Sequence, residues 1–180
     1  MSLNLYQFNI YQIIETDRLI LKPLHHNQLL KYIHDDHSLE EEFGLLPTKK
    51  SIAPGLQKAL LESTLPCVSD QDRNYCYKTL WIIISKADNK IVGDISFVGE
   101  PDQQGEIEIG YGTYEAFRGR GFMMEAIGRI INWAKEQANV QAIFATTAKE
   151  NIASYTILEK NNFVHIGDVD DMLSWKLQLK

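Results

Sequence analysis

Residues 106–125 read Glu106-Ile-Glu-Ile-Gly-Tyr-Gly-Thr-Tyr-Glu-Ala-Phe-Arg-Gly-Arg-Gly-Phe-Met-Met-Glu125. Ile107 and Ile109 alternate with Glu106 and Glu108, which is the period of a half-buried strand. Apolar residues then recur at Ile127, Ile130, Ile131 and Ala134, the spacing of a helix that begins just after Arg118-Gly119-Arg120-Gly121. A strand, a glycine-arginine loop and a helix start make a place for an anion. The first N–H groups of the helix are unpaired, the positive end of its dipole lies behind them, and glycines let a ligand approach the backbone. A P-loop needs Lys followed by Ser or Thr where Phe122-Met123 stands, and a dinucleotide fingerprint needs a small residue at Met124, so neither motif fits. On the loop alone, a phosphate cradle and a plain glycine turn with solvated arginines both stay open.

The rest of the chain narrows the choice. Its 180 residues form one expected domain, 14–180, behind an N-terminal extension, 1–13, large enough for a core without disulfides or metals. No apolar run approaches the roughly 20 residues of a membrane span and no signal-peptide pattern opens the chain, so a cytoplasmic protein is expected. Cys67 and Cys76 have neither CxxC spacing nor histidine neighbours and read as free thiols. A net charge of -6 argues against a nucleic-acid partner.

Upstream of the loop, the apolar extension (Leu5, Tyr6, Phe8, Ile10, Tyr11, Ile13) suggests an extra strand or a segment packed on the body or on a second subunit, leaving monomer and homodimer open. Residues 17–24 form a strand with Leu19 and Leu21 on one face, stopped by Pro23. Leu29, Leu30 and Ile33 make a helical stripe with Asn27 as its possible cap, and a second helix runs from Ile52 to Glu62. The acidic run Asp35–Glu42 is either a solvated helix face or a lure for an amine, and His34 and His37 beside it read as surface histidines. Pro66–Asn74 is a loop. Leu80–Ile84 and Ile91–Val98 pair through the turn at Asp88-Asn89-Lys90, and Pro101–Gly105 turns the chain into the 106–112 strand, giving an antiparallel meander. After the helix of 122–138, a strand at 141–147 follows a crossover and therefore lies parallel to 106–112. A helix from Asn151 to Asn161-Asn162 and strands at 163–168 and 172–179 complete the chain.

These segments resemble the GNAT superfamily of N-acetyltransferases. Arg118-Gly119-Arg120-Gly121 is similar to its acetyl-CoA loop, Asn151-x-x-Ser154 with Glu159-Lys160-Asn161-Asn162-Phe163 to its Asn-x-x-Ser…Glu-Lys-x-Gly-Phe element, and Thr16–Leu24 to the opening of the RimJ/RimL-like ribosomal-protein-alanine branch. The resemblance implies an α/β (α+β) fold: a central mixed, mostly antiparallel sheet, flanked by helices, whose fourth and fifth strands splay apart. It further implies that the pantetheine arm pairs with the backbone of Tyr111, Gly112 and Thr113, while the amides of Arg118, Gly119, Arg120, Gly121, Phe122 and Met123 hold the pyrophosphate. Met123 replaces the small residue usual in that loop, and Asn162 a glycine.

The implied reaction is direct attack of a primary amine, a protein N-terminus or a small amine, on acetyl-CoA without a metal. A lysine-like amine with a pKa near 10.4 needs a base at neutral pH. Glu108 is the candidate, although a solvent-side strand carboxylate like Glu106 looks the same in sequence. A backbone N–H near Ile109–Tyr111 is the expected oxyanion donor. The tyrosine that serves many family members as proton donor is Leu158 here, so Ser154 or Tyr155, on one helix face with Asn151, is the candidate substitute. A non-catalytic acyl-CoA-binding sensor is the alternative.

Overall fold

The structure, a computed structural model, describes residues 13–50, 52, 54–68 and 75–180. The expected extension, Ile13 apart, and residues 69–74 of the expected loop lie outside the described residues. The strands are β1 (Ile14–Glu15), β2 (Leu19–Pro23), β3 (Leu80–Ser85), β4 (Lys90–Phe97), β5 (Glu106–Thr113), β6 (Ala142–Ala148), β7 (Val164–Val169) and β8 (Met172–Gln178). The helices are α1 (His26–His34), α2 (Ser38–Phe43), α3 (Pro54–Ala59), α4 (Leu65–Cys67), α5 (Phe122–Glu136) and α6 (Ile152–Lys160).

All six residues of β3, Leu-Trp-Ile-Ile-Ile-Ser, are buried, as a strand with both faces covered should be. It pairs antiparallel with β2 and, through the turn at Asn89 (φ 51), with β4. Among the described residues the sheet runs β1-β2-β3-β4-β5-β6-β8-β7, and the β5–β6 pair alone is parallel. This is the mixed, mostly antiparallel sheet the sequence pattern calls for. Helix α5 covers one face, its Trp133 ring packing 5.4 Å from both Trp81 and Phe97. Helix α1 covers the other, where the Tyr32 hydroxyl reaches Asp94 of β4 at 2.9 Å.

Local expectations shift in four places. Helix α1 is capped by His25, whose backbone N–H donates to Gln28 Oε1 at 3.5 Å, and Asn27 lies inside the helix. It starts two residues earlier than expected, and its buried face is Gln28, Leu29 and Tyr32, with Leu30 and Ile33 half-buried at the rim. The second helix begins at Pro54 and continues past Glu62 as a π-helical stretch, Leu60–Thr64, into α4, which takes Pro66 and Cys67 out of the expected loop. Helix α5 stops at Glu136, two residues short of the expected end.

The acidic run is also no simple solvated face. Glu40 is fully buried with Lys50 Nζ 3.6 Å away, Lys50 pairs with Asp35 at 2.9 Å, and Glu42 accepts from Lys31 at 2.8 Å and Gln28 at 2.7 Å. These acids hold α1, α2 and the segment after them together.

Candidate active site

Strands β5 and β6 pair at three positions only, Glu106↔Ala142, Ile107↔Ile143 and Glu108↔Phe144. Beyond them β5 follows β4 as far as Thr113, and β6 follows β8 as far as Ala148. Each strand keeps its outer partner, so the two part. One extra strand at the sheet edge makes them the fifth and sixth here. The hydrogen bonds from Val98 N–H to the Glu108 carbonyl (2.9 Å) and from Tyr114 N–H to the Val92 carbonyl (3.0 Å) set the alternation of the β4–β5 ladder. They leave the N–H and C=O of Tyr111 and Thr113 facing the gap, while Gly112 pairs toward Asp94.

At the mouth of the gap the chain turns through Arg118–Gly121. Phe117, Phe122 and Met123 anchor the turn in the core at 7%, 4% and 3% exposure, and Gly119 and Gly121 adopt φ values of 73° and 76° that only glycine takes without strain. Met123 is thus buried, and it also lines the cleft in front of the loop. Gly121 caps α5 without a side chain, and the first intrahelical bond is Glu125 N–H to Gly121 C=O at 3.2 Å. The N–H groups of Phe122, Met123 and Met124 thus have no helical acceptor. In front of them is a cleft of about 270 Å³ lined by Thr113, Gly119, Gly121, Met124, Ala153 and Lys160 among others.

The two arginines of the loop differ. Arg118 is exposed, with Nε 3.4 Å from the Thr113 carbonyl. Arg120 instead forks onto Asp88 with contacts of 3.1 and 2.9 Å and lies 4.6 Å from the Phe122 ring centroid, so its charge belongs to the β3–β4 turn. That fork holds the Asp88 carboxyl below its usual range. Arg18, which the sequence did not mark, pairs with Glu125 at 2.6 Å and donates to the Arg120 carbonyl at 3.1 Å, bracing the loop from outside. No local pattern signals a contact across more than a hundred residues.

Helix α6 stands over the gap on the α5 side of the sheet. Asn151 caps it by accepting from Ser154 N–H at 3.2 Å, Ser154 Oγ donates to the Tyr111 hydroxyl at 3.1 Å, and that hydroxyl donates to the Ser154 carbonyl at 2.8 Å. Burial pushes the Tyr111 hydroxyl up to about 12, against the bond to Ser154. Tyr155 stacks on Trp175, ring centroids 6.0 Å apart, and Leu158 is fully buried. The face of α6 that carries Asn151, Ser154, Tyr155 and Leu158 therefore meets the sheet, with Ser154 nearest to β5.

Glu108 lies on the opposite face, in a cleft of about 310 Å³ shared with Asp102, Glu106, Phe144, Thr146 and Ser174. Its Oε1 is 3.3 Å from Thr146 Oγ1. Glu106, indistinguishable from it in sequence, is paired with Lys176 at 2.8 Å, whereas no cation pairs with Glu108 among the described residues. Nearby, Asp94 is buried at 3% exposure under the Tyr32 hydroxyl, itself 3.0 Å from that of Tyr114. Burial pushes the Asp94 carboxyl up to about 6, against hydrogen bonds from both tyrosines. Among the described residues no group of three or more His, Cys, Asp or Glu is arranged to hold a metal, and no helix is long and apolar enough to cross a membrane.

A sequence profile for the acetyltransferase (GNAT) domain matches residues 18–164. The chain belongs to the GNAT acetyltransferase family. A curated relative of this GNAT chain, the uncharacterized N-acetyltransferase YjdG of Bacillus subtilis (strain 168), is 40% identical over 84 residues, 47% of this chain and 50% of that protein. The chain spans about half the length of the curated relatives it matches. The GNAT fold itself extends further. A Salmonella typhimurium acetyltransferase, described as modifying the N-terminal serine of ribosomal protein L7/L12, superposes with a TM-score of 0.67 at 17% identity, covering 94% of this chain and 100% of that one. RimL, the L7/L12 α-N-protein acetyltransferase solved with coenzyme A, superposes with a TM-score of 0.66 at 16% identity, covering 93% and 98%. At such identities the likeness is one of fold.

Proposed function

We propose that this chain transfers acetyl from acetyl-CoA to a primary amine, a protein N-terminus or a small molecule. One observation carries the reading: β5 and β6 part after three pairs, and the gap opens toward the unpaired N–H groups at the start of α5. Family membership and the coenzyme A bound to RimL support it. The residues fit such a cosubstrate. The inward backbone groups of Tyr111 and Thr113 suit an amide-bearing arm, and the space in front of Gly119 is open, since a Cβ there would meet nothing within 4 Å. The Phe122–Met124 amides with Arg118 suit a pyrophosphate.

Acetyl-CoA supplies an activated acyl carbon; the chain supplies proton management and orientation. Glu108, with no cation paired to it among the described residues, takes a proton from the acceptor's ammonium directly or through one water. The gap-facing N–H of Tyr111 is the candidate donor to the carbonyl oxygen as it gains charge. A leaving thiolate needs a proton, and Ser154 with its hydrogen-bonded Tyr111 hydroxyl is the pair at the gap; Tyr155, stacked over β8, is the poorer candidate. The decisive experiment is calorimetric titration of the purified chain with acetyl-CoA and, separately, NAD and ATP. Binding of acetyl-CoA alone, weakened about tenfold in Arg118→Ala, is expected. Absence of acetyl-CoA binding overturns the assignment.

A further inference from the structure

Glu108 has an exposed apolar neighbour. The β4–β5 register runs to Phe97↔Ile109, and the next rung, closed by the Val98-to-Glu108 hydrogen bond, sets Val98 directly opposite Glu108 on the same face. Val98 is 68% exposed. It forms one wall of a cleft of about 650 Å³ between the end of β4 and the helical run α3–α4, whose other walls include Leu56, Ala59, Cys67, Ser96 and Phe97. A cleft of this size is in the range that receives small ligands or a few peptide residues.

The described lining of this cleft has almost no charge to offer. Among its described lining residues no side chain is an acid, and the one cation, Lys78, is 2.6 Å from Glu100. A second ammonium entering here would leave water without a counter-ion, a steep cost, whereas a hydrocarbon stem would cover Val98 and Leu56 at a gain.

Resting on the acetyltransferase assignment above, we propose that the acceptor is a primary amine carried on an uncharged, apolar stem: the nitrogen meets Glu108 and the stem lies in the Val98–Leu56–Ala59 cleft. Polyamines and other polycations are then poor acceptors. The chemistry is common to an arylalkylamine and to a peptide N-terminus whose next side chain is apolar, and the test separates the two.

The test compares kcat/KM of the full chain with saturating acetyl-CoA for ethylamine, phenethylamine, spermidine and two short peptides that differ only in Phe or Lys at the second position. Phenethylamine is expected to exceed ethylamine and spermidine by at least about tenfold, the scale on which a few methylenes in a pocket are discriminated. A Phe peptide preferred over phenethylamine marks a peptide source; the reverse marks a small amine. Ala59→Asp and Val98→Asp, both at exposed sites, should erase the preference for the apolar stem while leaving calorimetric acetyl-CoA affinity unchanged. Spermidine preferred, or an apolar preference intact in both variants, overturns the inference while the acetyltransferase assignment stands. Turnover with none of the amines also overturns the inference, and absence of acetyl-CoA binding by the same chain overturns the acetyltransferase assignment with it.

Discussion

Asp94 offers the sharpest physical test, because it is a carboxyl buried with no cation beside it among the described residues. Its ordinary value of 3.8 rises to about 6, desolvation outweighing the hydrogen bonds from Tyr32 and Tyr114. For an acid raised in the folded state, the stability it contributes is fully present below pH 3.8 and is lost as pH climbs through about 6. The shift is about two pKa units, and at 1.36 kcal/mol per unit the ionised group costs the folded chain about 3 kcal/mol at neutral pH. Asp94→Asn keeps an oxygen that accepts from both tyrosines but cannot ionise. Urea unfolding of both proteins at pH 4 and pH 7.5, followed by tryptophan fluorescence, isolates the effect. Groups with lowered values, such as Glu125, drift the other way in both proteins and cancel in the difference. The stability of the asparagine variant relative to the parent should rise by about 2.4 kcal/mol between the two pH values, since about 0.6 kcal/mol is already lost at pH 4, or about 5–10 °C in Tm for a chain of this size. A relative stability that stays within about 0.5 kcal/mol across that interval refutes the argument that Asp94 is ionised at the expense of the fold.

Three further outcomes follow from particular contacts. Glu108→Gln should lower kcat by about a hundredfold or more while leaving acetyl-CoA affinity intact, as read by steady-state kinetics and calorimetry; unchanged kcat removes Glu108 as the base. Leu158→Tyr, which restores the tyrosine usual in the family, should destabilise by about 1–3 kcal/mol without raising kcat, since residue 158 is fully buried against the core; a gain in kcat would show that this position reaches the leaving group. Gly93→Ala places a Cβ 2.4 Å from the Gly112 carbonyl oxygen and 3.3 Å from Thr113 Cα, so thermal denaturation should register a loss of at least about 1–3 kcal/mol; an unshifted Tm would mean that β4 and β5 yield more easily than their register suggests.

The site was legible in the sequence wherever its chemistry is local. The glycines before α5, the alternation in β5 and the cap at Asn151 depend on neighbours a few residues away, and each stands where its pattern placed it. The misjudged features depend on distant partners. Asn27 looks like a cap until the chain before it is seen to deliver His25 to that position, and Asp35–Glu42 looks solvated until Lys50 returns to bury Glu40. Arg118 and Arg120 are equivalent as letters, and only the β3–β4 turn, which brings Asp88 beside one of them, makes them different.

By itself, then, the sequence determined the order of strands and helices, the parallel crossover after α5 and the anion-ready turn at Gly119–Gly121, because hydrophobic period and backbone permissiveness are written residue by residue. Tertiary structure alone decided which of two alternating glutamates pairs with a cation, which arginine of the loop is tied to Asp88, and that Val98 stands opposite Glu108. Those properties are set by charge neutralisation and cross-strand register between segments far apart in the chain, and the folded sheet is what brings them together.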